Sequence, residues 1–147
     1  MKRLLFFAAV LLLFSSCISD EGLQVNLPSS LAKQWLSTEF YQPEGEEEAQ
    51  EYLCLWDFTV RKGCVYFAYF NSLQDLVTIP QYIMYEENIQ PFTCYYKKGT
   101  YYIVLEGGLT YYFTDITPVS ANVSSNNGYE NELSICVKQV NAYPFPY

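Results

Sequence analysis

The sequence predicts an all-β domain, a single antiparallel meander of about eight strands that closes into an up-and-down barrel or, alternatively, folds as a two-sheet β-sandwich. Three observations carry that prediction. Helical spacing of apolar residues is hard to find after residue 40, where Tyr, Phe, Val, Ile and Thr alternate with polar residues instead. The chain holds 15 Tyr, 10 Phe and 2 Trp, side chains suited to a pleated surface. Short turn signals at Arg61-Lys62-Gly63, Lys98-Gly99 and Gly107-Gly108 leave no room for crossover helices between the runs.

The first element is not part of that domain. Lys2 and Arg3 precede an apolar run over residues 4–14, then Ser15 and Ser16 lead into Cys17. Eleven apolar residues make a helix of about 16 Å, too short for a hydrocarbon core of about 30 Å, so residues 1–16 read as a secretory signal peptide rather than an anchor. Phe14-Ser15-Ser16-Cys17 resembles the lipobox of bacterial lipoproteins, with Phe14 in place of the usual Leu. That resemblance implies lipidation of Cys17, cleavage before it, and attachment to a membrane through acyl chains rather than a spanning helix. Ser19, Asp20 and Glu21 resemble the acidic export signal of Bacteroidota lipoproteins, which implies the cell surface of the outer membrane, with its periplasmic face as the alternative. Residues 17–30, ending in Pro28-Ser29-Ser30, read as the lipidated cysteine and a tether.

Residues 31–147 form one predicted domain. The first strand covers residues 34–41, followed by an acidic loop over 44–50. Strands over 52–59 and 64–70 flank Arg61-Lys62-Gly63, and a two-residue loop there places Tyr52, Cys54, Trp56 and Phe58 on one face with Val65, Phe67 and Tyr69. Pro80 interrupts the stretch 71–88, in which 81–85 can form only a short edge strand. Strands over 92–97 and 100–106 flank Lys98-Gly99, a pair suited to the positive φ angles of a primed turn. That register puts Phe92, Cys94, Tyr96, Tyr101, Ile103 and Leu105 on one side. A turn at Gly107-Gly108 leads into 109–114, and 118–123 and 133–140 supply the last two strands around a loop over 124–130.

"LAKQWLSTEFY", with a Trp opening the first strand, "WDFTVRKGCVYF" and "YYFTDIT" together resemble the small lipocalin-like lipoproteins of Bacteroidota, a calycin-type barrel group, over residues 31–140. The resemblance implies a lipocalin-like barrel with an apolar-lined cup. It supplies no catalytic motif.

Charge and residue types narrow the function classes. Loss of the signal removes two of the eight basic residues and leaves 131 residues with a formal charge of −10, which opposes nucleic acid and anionic lipid head groups as partners. The chain has no His, the commonest general base and zinc ligand. Cys54, Cys64, Cys94 and Cys136 lack Cys-x-x-Cys spacing, and without His none has an evident activating partner. In the register above, Cys54 and Cys64 lie about 17 Å apart along a strand, beyond disulfide reach. Cys54 and Cys94 point inward while Cys64 and Cys136 point outward, so the expectation is four buried thiols or at most one bridge, Cys54 to Cys94. Glu46, Glu47 and Glu48 sit in a loop where successive side chains diverge, unlike paired catalytic acids. No catalytic residue, cofactor or metal is expected.

Two functions of different classes follow. In the first, Trp56, Tyr69, Tyr96 and Tyr101 line a cup for a small apolar or amphipathic ligand. In the second, an outer face carrying Tyr102 and Tyr111 forms a platform for a glycan or an envelope protein partner, the lipid serving only to display it. A third, a protease-plugging inhibitor, would require a protruding loop such as 124–130.

Overall fold

A computed structural model of the chain describes residues 22–42, 44–72, 81–137 and 139–143. The signal peptide, Cys17, the acidic export signal and part of the stretch 71–88 lie outside the described residues.

Eight antiparallel strands close into a barrel. They are β2 (Gln34–Tyr41), β3 (Gln50–Asp57), β4 (Cys64–Phe70), β6 (Ile89–Lys97), β7 (Thr100–Leu105), β8 (Thr110–Thr114), β9 (Ser120–Ser125) and β10 (Glu130–Ile135). Each pairs with its successor along the chain, and β10 returns to β2 to close the ring. The predicted barrel is therefore the fold, and the two-sheet sandwich is not. Three short elements complete it: β1 (Leu23–Val25), β5 (Gln81–Ile83) and β11 (Asn141–Tyr143).

Turn chemistry fixes two hairpins in the predicted register. Trp56 faces Phe67 and Cys54 faces Tyr69 across β3 and β4. Across β6 and β7, Lys97 faces Thr100 and Tyr96 faces Tyr101, with Lys98 at φ 50° and Gly99 at φ 84° in the left-handed conformations that a primed turn requires.

The β7–β8 hairpin departs from expectation. A two-residue Gly107-Gly108 loop would set Ile103 against Tyr112. Instead Ile103 faces Tyr111 and Tyr101 faces Phe113, with the Leu105 N–H donating to the Leu109 carbonyl across a longer loop. One extra residue reverses every side chain of the following strand. Tyr111 and Phe113 consequently point inward, and Tyr112, not Tyr111, lies outside beside Tyr102.

Two hydrophobic clusters lie on opposite sides of the barrel wall. The inner one joins Trp35, Trp56, Phe58, Val65, Cys94, Ile103, Leu105, Phe113, Val123 and Leu133. The outer one joins Leu55, Cys64, Tyr66, Phe70, Ile89, Cys136 and Val140. This explains why β4, Cys-Val-Tyr-Phe-Ala-Tyr-Phe, is apolar without interruption: both its faces are covered.

The cover is a parallel pair, β5 with β11, outside the barrel. Residues 81–85 are therefore not an edge strand of the main sheet. The last predicted strand, 133–140, is likewise shorter, because the chain leaves β10 after Ile135 and crosses the outer face. Gln34 fastens this crossing. Its Nε2 donates to the Val140 carbonyl at 2.6 Å and to Asp57 Oδ2 at 2.8 Å, and its Oε1 accepts from the Val140 N–H at 2.9 Å. Tyr66 holds the other ribbon strand, donating its hydroxyl to the Ile83 carbonyl and accepting from the Tyr85 N–H.

The four described cysteines, Cys54, Cys64, Cys94 and Cys136, are buried without disulfides, two in each cluster, so the outward Cys64 and Cys136 are hidden by the cover rather than exposed. β1 comes from the stretch whose composition suggests a tether, and it pairs with β6 from Leu23 facing Tyr96 to Val25 facing Cys94. Gly22 permits this approach: at φ 101°, a Cβ there would meet the Tyr96 carbonyl oxygen at 2.6 Å.

The meander gives the barrel two distinct ends. The β2–β3, β4–β6, β7–β8 and β9–β10 connections lie at one end, and the β3–β4, β6–β7 and β8–β9 connections at the other. The chain between β1 and β2 crosses this second end, where Leu31 is buried and its carbonyl accepts from Trp35 Nε1 at 3.1 Å. That end is closed.

Candidate functional site

At the open end, β2 and β3 bring together side chains that alternate inward. Trp35 sets the phase of β2, and steps of two place Ser37 and Glu39 on the same inner face. Opposite them, β3 presents Cys54 and Trp56, β4 presents Phe67 and Tyr69, and β8 presents Tyr111. Tyr129, in the β9–β10 connection, folds over the same space. Glu39, Cys54, Trp56, Phe67, Tyr69, Tyr111 and Tyr129 line a partly open cavity of about 190 Å³. A wider hollow of about 450 Å³, bordered by Glu39, Phe40, Tyr52 and Tyr69, shares two of its residues and opens outward.

The walls are rings at differing angles. Trp56 meets Phe67 at 4.9 Å and Tyr111 at 5.0 Å between centroids, both at 74° between planes. Tyr129 lies 6.2 Å from both Trp56 and Tyr111. Edge-to-face packing of this kind fixes ring orientation, because the positive edge of one ring rests on the negative face of the next.

A polar chain runs along one side. Trp56 Nε1 donates to Ser37 Oγ at 2.9 Å, and Ser37 Oγ donates to Glu39 Oε1 at 2.9 Å. Tyr129 Oη donates to the same Glu39 oxygen at 2.6 Å and accepts from Asn131 Nδ2 at 3.2 Å, which also donates to the Thr38 carbonyl. The buried indole N–H is thus satisfied and the Tyr129 ring held in place.

Burial, and then the Glu39 charge, push the Cys54 thiol up to about 12 from its ordinary 9. Burial and the Glu39 hydrogen bond raise Tyr129 above the usual phenol range, and burial followed by the nearby Cys54 and Glu39 raises Tyr111. Each is a neutral donor at physiological pH, so the cup contains neutral hydroxyls and a thiol beside one carboxylate. Among the described residues, no group of three His, Cys, Asp or Glu side chains converges as a metal site would.

The four aromatic residues expected to line a cup divide into two places. Trp56, 2% exposed, forms the floor of the cavity, and Tyr69, 65% exposed, forms its rim. Tyr96 and Tyr101 pack against each other, 4.8 Å between centroids with their planes tilted by 46°, toward the closed end and away from this cavity. Glu39, Ser37 and Tyr129 escaped sequence reasoning. The polar residues of β2 look like a solvated face, and Tyr129 lies outside any strand; only the phase set by Trp35 pointed to the first two.

The expected outer Tyr platform also changes membership. Tyr95, Tyr102 and Tyr112 stand opposite one another across β6, β7 and β8, half-buried, with Tyr102 and Tyr112 at 5.2 Å. No family model, curated protein or solved structure matches the chain.

Proposed function

We propose that this chain is a lipid-anchored, non-catalytic binding protein of the bacterial envelope, of the lipocalin-like kind, that holds a small ligand in the open end of its barrel. The observation that carries this reading is the aromatic cavity adjoining an outward-opening hollow across Glu39 and Tyr69. Its rim residue Tyr69 is exposed while its floor is rigidly packed. Preformed concave sites with apolar walls and a few oriented polar groups are where small molecules bind. The inner volume, about 190 Å³, lies below the roughly 300 Å³ at which drug-sized pockets begin. A compact group occupies the inner space, and any longer tail lies in the outer hollow.

A thermal-shift screen of fatty acids, bile acids, isoprenoids and small amphiphiles tests the reading. A ligand at 100 times its dissociation constant adds about 2.7 kcal/mol of stability. Tyr69→Ala should abolish the shift while leaving the ligand-free melting temperature unchanged, since Tyr69 is exposed. No shift with any compound would refute the cup. The anchor has its own test: Cys17→Ala should move the protein from the membrane fraction to the soluble fraction, and unchanged fractionation would refute lipidation.

The row Tyr95, Tyr102 and Tyr112 favours a second reading, a surface platform for glycans. Stabilisation by oligosaccharides alone, lost in Tyr102→Ala, would support it over the cup.

A further inference from the structure

We infer that the group seated in the cup is a compact organic cation, an alkylammonium held among the rings of Trp56, Phe67, Tyr111 and Tyr129 with Glu39 as its counter-charge. This inference rests on the binding function proposed above and names the chemistry of its ligand.

Glu39 is the first reason. A carboxylate at the wall of an aromatic cavity is costly unless its charge is answered. Its hydrogen-bond donors are the neutral hydroxyls of Ser37 and Tyr129, both to Oε1; among the described residues none donates to Oε2. No Lys or Arg borders either the cavity or the outer hollow. The site thus offers a carboxylate oxygen that no described side chain fills and that solvent reaches, at the wall of a space that admits only a compact group.

The rings are the second reason. Indole and phenol faces attract cations through their quadrupoles, most strongly when water is excluded. Here the rings lie at angles from 33° between Trp56 and Tyr129 to 84° between Tyr111 and Tyr129, so they border the hollow in several orientations. A fatty carboxylate would place its own charge against Glu39. A neutral apolar group would leave the carboxylate unanswered.

The third reason is independent of the cavity. The described basic residues, Lys33, Arg61, Lys62, Lys97 and Lys98, all lie in or beside connections at the closed end. The connections at the open end carry Glu44, Glu46, Glu47, Glu48, Glu86, Glu87 and Glu106 and no described basic residue. The barrel is therefore polarised along its axis, and a cation approaching the open end meets an attractive field.

The test compares choline and tetramethylammonium with dimethylbutanol, the neutral carbon isostere of choline, by Trp fluorescence titration of the intact barrel. Binding of the cations at least about tenfold tighter than the isostere is expected, and Glu39→Gln should reduce cation affinity about tenfold without affecting the isostere. Equal binding of choline and dimethylbutanol to the unaltered protein overturns the inference, and this comparison does not depend on the variant's folding. Undiminished cation binding in a folded Glu39→Gln protein overturns it too. Vesicles of phosphatidylcholine, with phosphatidylglycerol as the control, separate a head-group cation from a free amine: selective binding to the former with no response to free choline supports a lipid-borne ligand. If the cations and the vesicles are silent while apolar amphiphiles bind, the inference falls and the cup stands. If every compound is silent, both fall.

Discussion

Replacing Gln34 by Leu should detach the outer cover from the barrel. Gln34 is 5% exposed and Val140 is 1% exposed, and the glutamine amide makes three hydrogen bonds there. Leu keeps the volume and removes all three. The bond to the Asp57 carboxylate is worth about 1.5–3 kcal/mol, and each Val140 backbone group left buried without Gln34 costs about 1–3 kcal/mol. The chain limits the sum by lifting Val140 into water, which in turn uncovers the outer cluster around Tyr66 and Cys136. A loss of about 3 kcal/mol or more is expected, a large share of the 5–15 kcal/mol that holds a domain of this size. Urea unfolding followed by Trp fluorescence measures the loss, and hydrogen exchange at the Val140 amide shows where it occurs. A loss below about 0.5 kcal/mol, the range of ordinary surface substitutions, with Val140 still protected would refute the assignment of Gln34 as the fastening. Gln34→Glu sharpens the test, because a second carboxylate against Asp57 cannot donate to the Val140 carbonyl.

Alkaline pH should weaken the fold. Burial lifts Cys54 to about 12 and Cys94 to about 11, so the unfolded chain loses these protons first, and their contribution is complete below about pH 9 and disappears as pH rises through the folded values. Each group adds a slope of about 1.4 kcal/mol per pH unit across its window, and Cys54→Ala should flatten the decline in melting temperature; an unchanged melting temperature between about pH 8 and about pH 10.5 would contradict it. Cys54, Cys64, Cys94 and Cys136 should resist a water-soluble thiol reagent in the native protein and react together in denaturant. Rapid native reaction at Cys64 or Cys136 would mean that the cover opens readily.

Register was legible in the sequence where turn chemistry allowed one solution. Lys98-Gly99 supplies two consecutive positive-φ positions and the loop after Phe58 closes in the only phase that keeps Trp56 and Phe67 together, so both hairpins follow from local pattern. Gly107-Gly108 was ambiguous, because two permissive glycines suit a two-residue turn and a longer loop equally well, and Tyr111 and Tyr112 are chemically interchangeable as inward or outward residues. The cover was not legible for a different reason. The uninterrupted apolar run of β4 announces burial on both faces, but nothing local says that β5 and β11, 60 positions apart at their Ala142–Tyr82 pair, supply it. Of the site, Trp56 and Tyr69 could be placed by alternation, whereas Glu39 required trusting the phase set by Trp35 over the polarity of its neighbours.

The entry of β1 gives the barrel a direction. Leu23 meets Tyr96 beside the Lys97–Thr100 turn, at the closed end. An acyl anchor on Cys17 would leave only five residues before Leu23, a leash of about 18 Å at full stretch. So short a leash would keep the closed end, with Arg61, Lys62, Lys97 and Lys98, nearest the bilayer, and would point the acidic mouth toward the surrounding fluid. In that posture the proposed ligand would come from solution or from an opposing surface, not from the leaflet that holds the anchor.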